Sequence, residues 1–307
     1  MAAHIRRRVP GVAARRGSGR SARSRVTRRS TVCAVVPHHR CEEWLGDCLE
    51  SLVAQTRPLD AIAVIDDASG DPPLEITSRF TGVALLESAE GENAGPYRLS
   101  QQIIADTRYD AYLYQDADDW SSRDRLERLL DEAERTGAEL IGSQELRVLC
   151  KEGEAVPFTY ALDVNDALRE SPTSFPLLHP TSMVSRSLFM RIGGFATGLR
   201  FGGDSEFLRR AVHAAVLRNV PEFCYFRRIR AGSLTTAANT GMNSPERRQL
   251  MATLHQRALD NVARVAHGEE PETSPMVTAP HIELRQLAGP ALHSAAGRRT
   301  QSGGKRP

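Results

Sequence analysis

The sequence predicts an α/β fold: a doubly wound, mostly parallel sheet flanked by helices, with disordered segments at both ends. Two observations predict this fold. Short apolar, β-branched runs typical of buried strands alternate with longer segments in which apolar residues recur at helical spacing. The composition is also that of a globular protein, since 40% of the 307 residues are hydrophobic and 25% are charged. We expect one core of roughly 200 residues with a tail at each end.

The first half of the chain supplies four predicted strands. They cover residues 31–36, 61–65, 83–87 and 111–115, and each is apolar enough to be buried. Helices are predicted from the apolar spacing between Trp44 and Val53, over 97–106, and over 125–136, where Gly137 is a typical C-terminal stop. A further strand begins at Leu140.

The alternation weakens beyond residue 151, where helices are predicted over 188–192, 206–215 and 244–265. The end of the chain is rich in Gly, Pro, Ala and Ser, which is typical of a loose tail. The predicted units are a disordered arginine-rich tail (1–29), a main domain (30–235), a C-terminal helical extension (236–265) and a flexible tail (266–307).

Charge is unevenly distributed along the chain. Residues 1–30 hold ten arginines and no acid, so the rest of the chain has 30 basic and 38 acidic residues and a net charge of −8. A body of that sign repels nucleic acid, and no nucleic-acid partner is expected. The tail is either solvated or a surface anchor, for which an anionic membrane is the favoured partner.

No apolar run is long enough to span a bilayer or to act as a secretory signal. We therefore expect a cytoplasmic protein, with a peripheral contact at the inner face of the membrane if the tail is an anchor. The five scattered cysteines indicate neither a disulfide framework nor a zinc site.

Acidic residues follow two of the predicted strands. Asp66 and Asp67 end the second strand, and the motif Asp116-Ala117-Asp118-Asp119 follows the fourth. The carboxyl ends of such strands border one ligand-binding crevice, where grouped carboxylates repel one another unless a cation compensates them. A divalent metal that carries phosphates is the natural cation. The structural alternatives are an Asx-type turn at Asp66 and Asp67, and a helix cap by Asp119 or Ser121.

Five ordered pieces of the chain, across about residues 31–235, resemble the family-2 inverting glycosyltransferases of the GT-A fold. The pieces are Val35-Val36-Pro37 with the helix after it, Ala63-Val64-Ile65-Asp66-Asp67, Asn93-Ala94-Gly95-Pro96-Tyr97, Tyr114-Gln115-Asp116-Ala117-Asp118-Asp119-Trp120, and Ile192-Gly193-Gly194-Phe195 with Phe201-Gly202-Gly203-Asp204. The fourth piece, which contains the D-x-D metal motif, is the most specific.

The resemblance implies a GT-A, Rossmann-like domain and a hexosyltransferase-like enzyme. Such an enzyme transfers a sugar from a nucleotide-diphosphate donor, with a UDP-sugar favoured, to the hydroxyl of a polysaccharide, glycolipid or natural-product acceptor. The resemblance also implies a bound Mn²⁺ or Mg²⁺ and a single displacement that inverts the anomeric carbon.

Roles for single residues follow from the same resemblance. The residues that would line the donor pocket are Pro37, Asp66, Asp67 and Tyr97. Asp116 would face the ribose or the metal, and Asp118 would hold the metal against the diphosphate. Asp204 matches the general base, with a helix cap as its structural alternative. Glu206 is a second candidate base, but on a helix it points about 200° away from Asp204.

One segment departs from the family pattern. Many members carry a metal-binding histidine near the end of the catalytic domain, whereas the matching stretch here, Phe226-Arg227-Arg228-Ile229-Arg230, has Arg230 at that place. A guanidinium cannot ligate a metal but can bind a phosphate through two hydrogen bonds. We expect Arg230, with Arg228, to contact the diphosphate and to take over part of the metal's work. The alternative is a solvated basic loop.

For other residues the sequence leaves two roles possible. His38, His39 and Arg40 either border the nucleotide or form a surface loop. His179 lies either near the acceptor or among core side chains, and Trp120 either stacks on a sugar or packs beneath its loop.

Two other functions, a sugar nucleotidyltransferase and a non-catalytic binding module, would share some of these features. A sugar nucleotidyltransferase would share the metal carboxylates, but it needs a glycine-rich phosphate loop after the first strand, where this chain has Pro37-His38-His39-Arg40-Cys41. A non-catalytic nucleotide- or anion-binding module would use the basic tail, and the retained Asp116, Asp118 and Asp204 count against it.

Overall fold

The computed structural model describes residues 25–89, 91, 93–149, 153–230, 241 and 244–295. Its strands are β1 Val32–His38, β2 Ala61–Asp66, β3 Val83–Ser88, β4 Ala111–Tyr114, β5 Trp120–Ser121, β6 Leu140–Leu149, β7 Glu154–Phe158, β8 Met183–Ser185, β9 Leu217–Ile229 and β10 Leu284–Ala288. Its helices are α1 Glu42–Val53, α2 Leu74–Thr77, α3 Pro96–Asp106, α4 Arg125–Thr136, α5 Val164–Glu170, α6 Arg186–Arg191, α7 Gly203–Ala211 and α8 Pro245–Ala266. A 3₁₀ turn covers His179–Thr181.

The ten strands form one sheet in the order β10-β3-β2-β1-β4-β8-β6-β9-β5, and β7 pairs with β6 outside this path. The half made of β3, β2, β1 and β4 is parallel. The predicted α/β class and doubly wound arrangement are therefore confirmed. The other half is mixed, since β8 is antiparallel to both its neighbours whereas β6 and β9 are parallel.

Strands of the parallel half are buried on both faces. Val32, Ala34 and Val36 belong to a core shared with α1 and α4, whereas Cys33 and Val35 belong to a second core shared with α3, α6 and α7. Alternate residues of one strand therefore enter different cores, which explains the continuous apolar runs of the sequence.

The predicted flexible tail does not begin at residue 266. Residues 284–288 form β10, which pairs antiparallel with β3, and the neighbouring Ile282 is buried. The strand was not predicted because none of its residues is fully buried at the sheet edge and its sequence shows no apolar alternation. The predicted helix 206–215 also differs, since α7 begins at Gly203 and ends at Ala211.

The other predicted tail lies mostly outside the described residues, as do 296–307. Residues 25–29 are described and contact the domain, because Val26 is buried beside α4 and Arg28 pairs with Asp131. Across the described ranges, no helix combines the length and apolarity needed to cross a membrane.

A buried carboxylate joins the C-terminal segment to α7. Both oxygens of Glu206, which is 1% exposed, accept hydrogen bonds from Arg210, and Oε1 also accepts from Arg257 Nη1 at 2.9 Å and from the Met276 amide at 3.0 Å. Glu206 therefore serves packing, and the helix that carries Asp204 is fixed to α8 and to the chain after it. We call this set the Glu206 network.

Removal of the central carboxylate should strongly destabilise the fold. Glu206→Ala would leave the buried Arg210 and the half-buried Arg257 without their shared counter-charge, which typically costs about 3–5 kcal/mol. Denaturant unfolding followed by circular dichroism measures the loss. Glu134→Ala, which removes an exposed carboxylate of α4, is the control and should stay within about 0.5 kcal/mol of the parent. Equal losses in the two variants would contradict the role of the network.

Candidate active site

The candidate site lies at the carboxyl ends of β1, β2 and β4. His38 pairs with Asp66 in the β1–β2 register, and Val35 pairs with Tyr114 in the β1–β4 register. In the sheet, β1 lies between β2 and β4, so the strands that follow β1 in sequence are placed on both sides of it. Such a switch point is where α/β sheets bind ligands. The predicted acidic segments therefore reach one edge of the sheet.

Three carboxylates gather in the loop of residues 116–119, which we call the acidic loop. One oxygen from each of Asp116, Asp118 and Asp119 lies within 4.8 Å of the others. Asp119 is buried, Asp118 is half-buried and Asp116 reaches solvent. The loop thus presents two carboxylates outward and keeps a third inside.

The buried carboxylate fixes the loop to β9. Asp119 Oδ2 accepts the Tyr225 hydroxyl at 2.8 Å, and its Oδ1 accepts the Arg228 amide at 2.7 Å. The same Tyr225 hydroxyl lies 3.2 Å from the Asp116 amide, which donates to it. Asp119 is therefore an anchor and not the predicted helix cap. The other predicted cap, Ser121, instead donates to Gln115 at 2.8 Å.

A buried guanidinium holds the residues that flank the acidic loop. Arg125 has no exposed surface, and it donates to the side chains of Gln115 and Ser121 and to the carbonyls of Tyr114 and Pro180, all at 2.7–2.9 Å. Burial lowers the pKa of Arg125 to about 10, so the group stays charged at neutral pH. Both ends of the acidic loop are thereby held by one side chain.

Crowding of negative charge is evident at Asp116. Asp116 reaches solvent, but protein atoms around its carboxylate still desolvate it. This desolvation, followed by repulsion from Asp118 and Asp204, raises the pKa of Asp116 to about 7, while the nearby charge of Arg227 opposes the rise. The site therefore favours a positive partner for Asp116.

The two predicted diphosphate ligands both lie beside the acidic loop. Arg230 Nε donates to Asp118 Oδ2 at 2.7 Å, and its guanidinium carbon is 4.3 Å from the centre of the Trp44 ring. Arg228 Nη2 contacts Asp47 at 3.1 Å, and its guanidinium lies over Trp120. Neither side chain belongs to a purely solvated loop.

The predicted base shares the cleft with the acidic loop. Asp204 lies in the first turn of α7, is half-buried, and accepts the Tyr97 hydroxyl at 3.1 Å. A Cβ atom at Gly203 would come within 2.9 Å of the Tyr97 ring, so glycine permits this approach. The charges of Asp204 and Asp116 repel each other, so α7 brings Asp204 near the acidic loop. Asp204 is not the N-cap of α7, since Gly202 occupies that position.

Asp66 and Asp67 both make hydrogen bonds within the protein. Asp66 is 1% exposed, and it contacts His38 Nδ1 at 2.8 Å and accepts the Ser69 amide at 3.0 Å, which is an Asx-type turn. Burial alone would raise the pKa of Asp66, but these hydrogen bonds outweigh it and the pKa is lowered.

Both oxygens of Asp67 hold the loop before α3. They accept the amides of Ala94 and Gly95 at 2.6 and 2.9 Å. Burial raises the pKa of Asp67 in spite of these bonds. Pro37 is half-buried within β1, beside these residues. The contacts of Pro37, Asp66 and Asp67 with the nucleotide stay a prediction.

Aromatic rings surround His179 and belong largely to the core shared with α3, α6 and α7. His179 lies 4.0 Å from Tyr114, 5.4 Å from Phe195 and 6.2 Å from Tyr97, measured between ring centres. Desolvation lowers the pKa of His179 to about 4, so the imidazole is neutral at physiological pH. Trp120 stacks on Phe226 at 5.6 Å between ring centres, which favours the packing role.

Four residues that support the site were not predicted from the sequence. The sequence leaves the role of His38 open, and it gives no local sign that Arg125, Tyr225 and Arg227 support the site. Their partners lie far away in sequence, as with His38 and Asp66 or Tyr225 and Asp119. The one signal available for Arg227 was its place in an arginine-rich stretch.

Comparison with known protein families matches residues 33–193 to the family described as glycosyl transferase family 2. Among curated proteins, glycosyltransferase GlyA of Streptococcus pneumoniae serotype 4 is 29% identical over 99 residues. The matched segment covers 32% of this chain but only 14% of GlyA, so it corresponds to a small part of that protein.

Among solved structures, the 1–349 fragment of S. aureus TarS in complex with UDP has a TM-score of 0.59 and 18% identity, over 75% of this chain and 66% of the fragment. The same fragment in complex with UDP-GlcNAc has a TM-score of 0.61 and 17% identity, over 78% of this chain and 73% of the fragment. These similarities show a common GT-A type fold.

Loss of the Tyr225 hydroxyl should loosen the acidic loop. Tyr225→Phe leaves Asp119 Oδ2 buried without this donor, and the free energy of unfolding should fall by about 1–3 kcal/mol. Hydrogen exchange of the amides of residues 116–120 should also become faster. Tyr112→Phe, which removes a buried hydroxyl bonded to Thr107, is the control and should leave these amides protected. Unchanged exchange in Tyr225→Phe would show that the loop does not depend on this bond.

Proposed function

The chain belongs to glycosyl transferase family 2 and is a glycosyltransferase, and from this premise we propose that it uses a nucleotide-diphosphate sugar and inverts the anomeric carbon. The observation that supports this most strongly is that Asp204, from α7, lies near the acidic loop that carries Asp116 and Asp118. A UDP-sugar is the favoured donor, because TarS, which has the same fold, has been crystallised with UDP and UDP-GlcNAc. The acceptor is a hydroxyl compound.

The outward carboxylates fit a divalent cation. Asp116 and Asp118 offer the oxygen ligands that Mg²⁺ and Mn²⁺ prefer, and the raised pKa of Asp116 reflects negative charge that a cation would offset. Asp119 is less suited, because both its oxygens already accept hydrogen bonds from β9. When bound, such a cation supplies positive charge against the charge that grows on the departing diphosphate.

Asp204 is the proposed general base. Its carboxylate is half-buried, is oriented by the Tyr97 hydroxyl, and shares the cleft with the acidic loop. An acceptor hydroxyl beside Asp204 would lose its proton to the carboxylate as it attacks the anomeric carbon. The attack comes from the face opposite the diphosphate, so the configuration inverts without a covalent intermediate.

Arg230 and Arg228 are proposed to contact the diphosphate. Arg228 lies at the end of β9 and Arg230 directly after it, and Arg230 already touches the proposed metal ligand Asp118. A guanidinium binds phosphate oxygens in pairs, which positions the donor as well as neutralising it.

Replacement of the base should stop transfer but not donor binding. We expect Asp204→Asn to lower the rate of nucleoside-diphosphate release in the presence of acceptor roughly 10²–10⁴-fold, because an amide cannot take the proton. Thermal stabilisation by UDP with Mn²⁺ should persist. Asp260→Asn, an exposed carboxylate change on α8, is the matched control and should keep the parent rate. Full activity in Asp204→Asn would remove Asp204 from the mechanism.

A donor panel tests the proposed substrate class. UDP- and GDP-sugars are incubated with Mn²⁺ or Mg²⁺, and the release of nucleoside diphosphate is measured. We expect release from at least one UDP-sugar and its loss when a chelator removes the metal. If neither UDP nor GDP stabilises the protein with either metal, the donor assignment is wrong.

A further inference from the structure

We propose that Arg230 is an exchangeable counter-ion of Asp118. It neutralises this carboxylate before the donor arrives and then moves to the diphosphate, so that the divalent cation binds tightly only together with the nucleotide. The inference rests on the proposed function and adds an order of events at the same site.

The contact between the two side chains is close and shielded. Arg230 Nε donates to Asp118 Oδ2 at 2.7 Å, and the side chains are only 20% and 17% exposed. Ion pairs on open surface are weakened by water and salt, whereas this pair is largely removed from both. Asp118 therefore has a strong positive partner within the protein.

That partner competes with a cation that arrives alone. One oxygen of the proposed ligand Asp118, Oδ2, already accepts a hydrogen bond from Arg230, and a guanidinium carries its charge at any physiological pH. A free divalent cation must displace Arg230 or bind next to it, against the repulsion of like charges. Arg230 thus lowers the affinity for the cation alone.

A diphosphate changes this balance because it offers Arg230 a better partner. One Nε contact to a carboxylate can be exchanged for paired hydrogen bonds to phosphate oxygens. The Trp44 ring lies 4.3 Å from the guanidinium carbon and Cys41 Sγ lies 3.4 Å from Nη2. The Trp44 ring stacks on the flat face of the Arg230 guanidinium. The N–H groups at the edge of the guanidinium can therefore change partner while the stacking contact is kept.

The two binding events are therefore coupled through Arg230. Phosphate oxygens that ligate the cation produce one part of the coupling in any such site, and the exchange of Arg230 adds a second part. By thermodynamic reciprocity, the nucleotide raises the affinity for the cation by the same factor as the cation raises the affinity for the nucleotide. Removal of the Arg230 charge should abolish only the coupling that comes from the exchange of Arg230.

The experiment measures Mn²⁺ binding by electron paramagnetic resonance, without UDP and with saturating UDP, in the parent and in Arg230→Ala. We expect the variant to bind Mn²⁺ alone roughly tenfold more tightly, and UDP alone more weakly. The gain in Mn²⁺ affinity on adding UDP should shrink by a similar factor. Arg230→Gln, which keeps the length and removes the charge, is the second variant and should behave in the same way.

Arg128→Ala is the control, because Arg128 is an exposed arginine of α4 that pairs with Asp124 and Glu222. It should match the parent in all three measurements. Unchanged or weaker binding of Mn²⁺ alone in both Arg230 variants, with UDP and Mn²⁺ still bound by the parent, would overturn the exchange and leave the proposed function intact. A parent that binds neither UDP nor Mn²⁺ would overturn both.

Discussion

The acidic loop can exist only because other segments compensate three carboxylates that repel one another. Tyr225 and the Arg228 amide hold Asp119, and Arg230 neutralises Asp118. Burial raises the pKa of Asp119 well above its ordinary value and the pKa of Asp116 to about 7, so negative charge remains unfavourable at both carboxylates. Asp116 is the most exposed of the three, so a positive ligand can reach it from solvent.

The two halves of the sheet contribute opposite charges to this cleft. The parallel half brings the acidic loop to its edge, while the mixed half brings the polar end of β9, with Arg227 and Arg228, and Arg230 just after it. The parallel pairing of β6 and β9 keeps the two long strands aligned to Ile229, so the arginines arrive beside the loop. The mixed half therefore completes the site that the parallel half begins.

The sequence was sufficient to predict the elements whose apolar pattern is strong. The strands near 31–36, 61–65 and 111–115 and the helix 125–136 were found because one period dominates each of them. β9 was missed, since its arginines favoured a loop and its pairing with β6 depends on distant residues. The proximity of Asp116, Asp118 and Asp204 was predicted through family resemblance, whereas the burial of Arg125 depends on Tyr114 and Pro180, which no local pattern reveals.

The Glu206 network has a consequence for the descent of this chain. The family match ends at residue 193, yet the helix that carries Asp204 is tied to Arg257 and to the backbone of Met276. A recombination that exchanged only the C-terminal segment between relatives would remove the contacts of Glu206 with Arg257 and the Met276 amide, although Arg210 of α7 would still pair with it. Matching residues in the helix that carries Asp204 and in this segment are therefore expected to be inherited together.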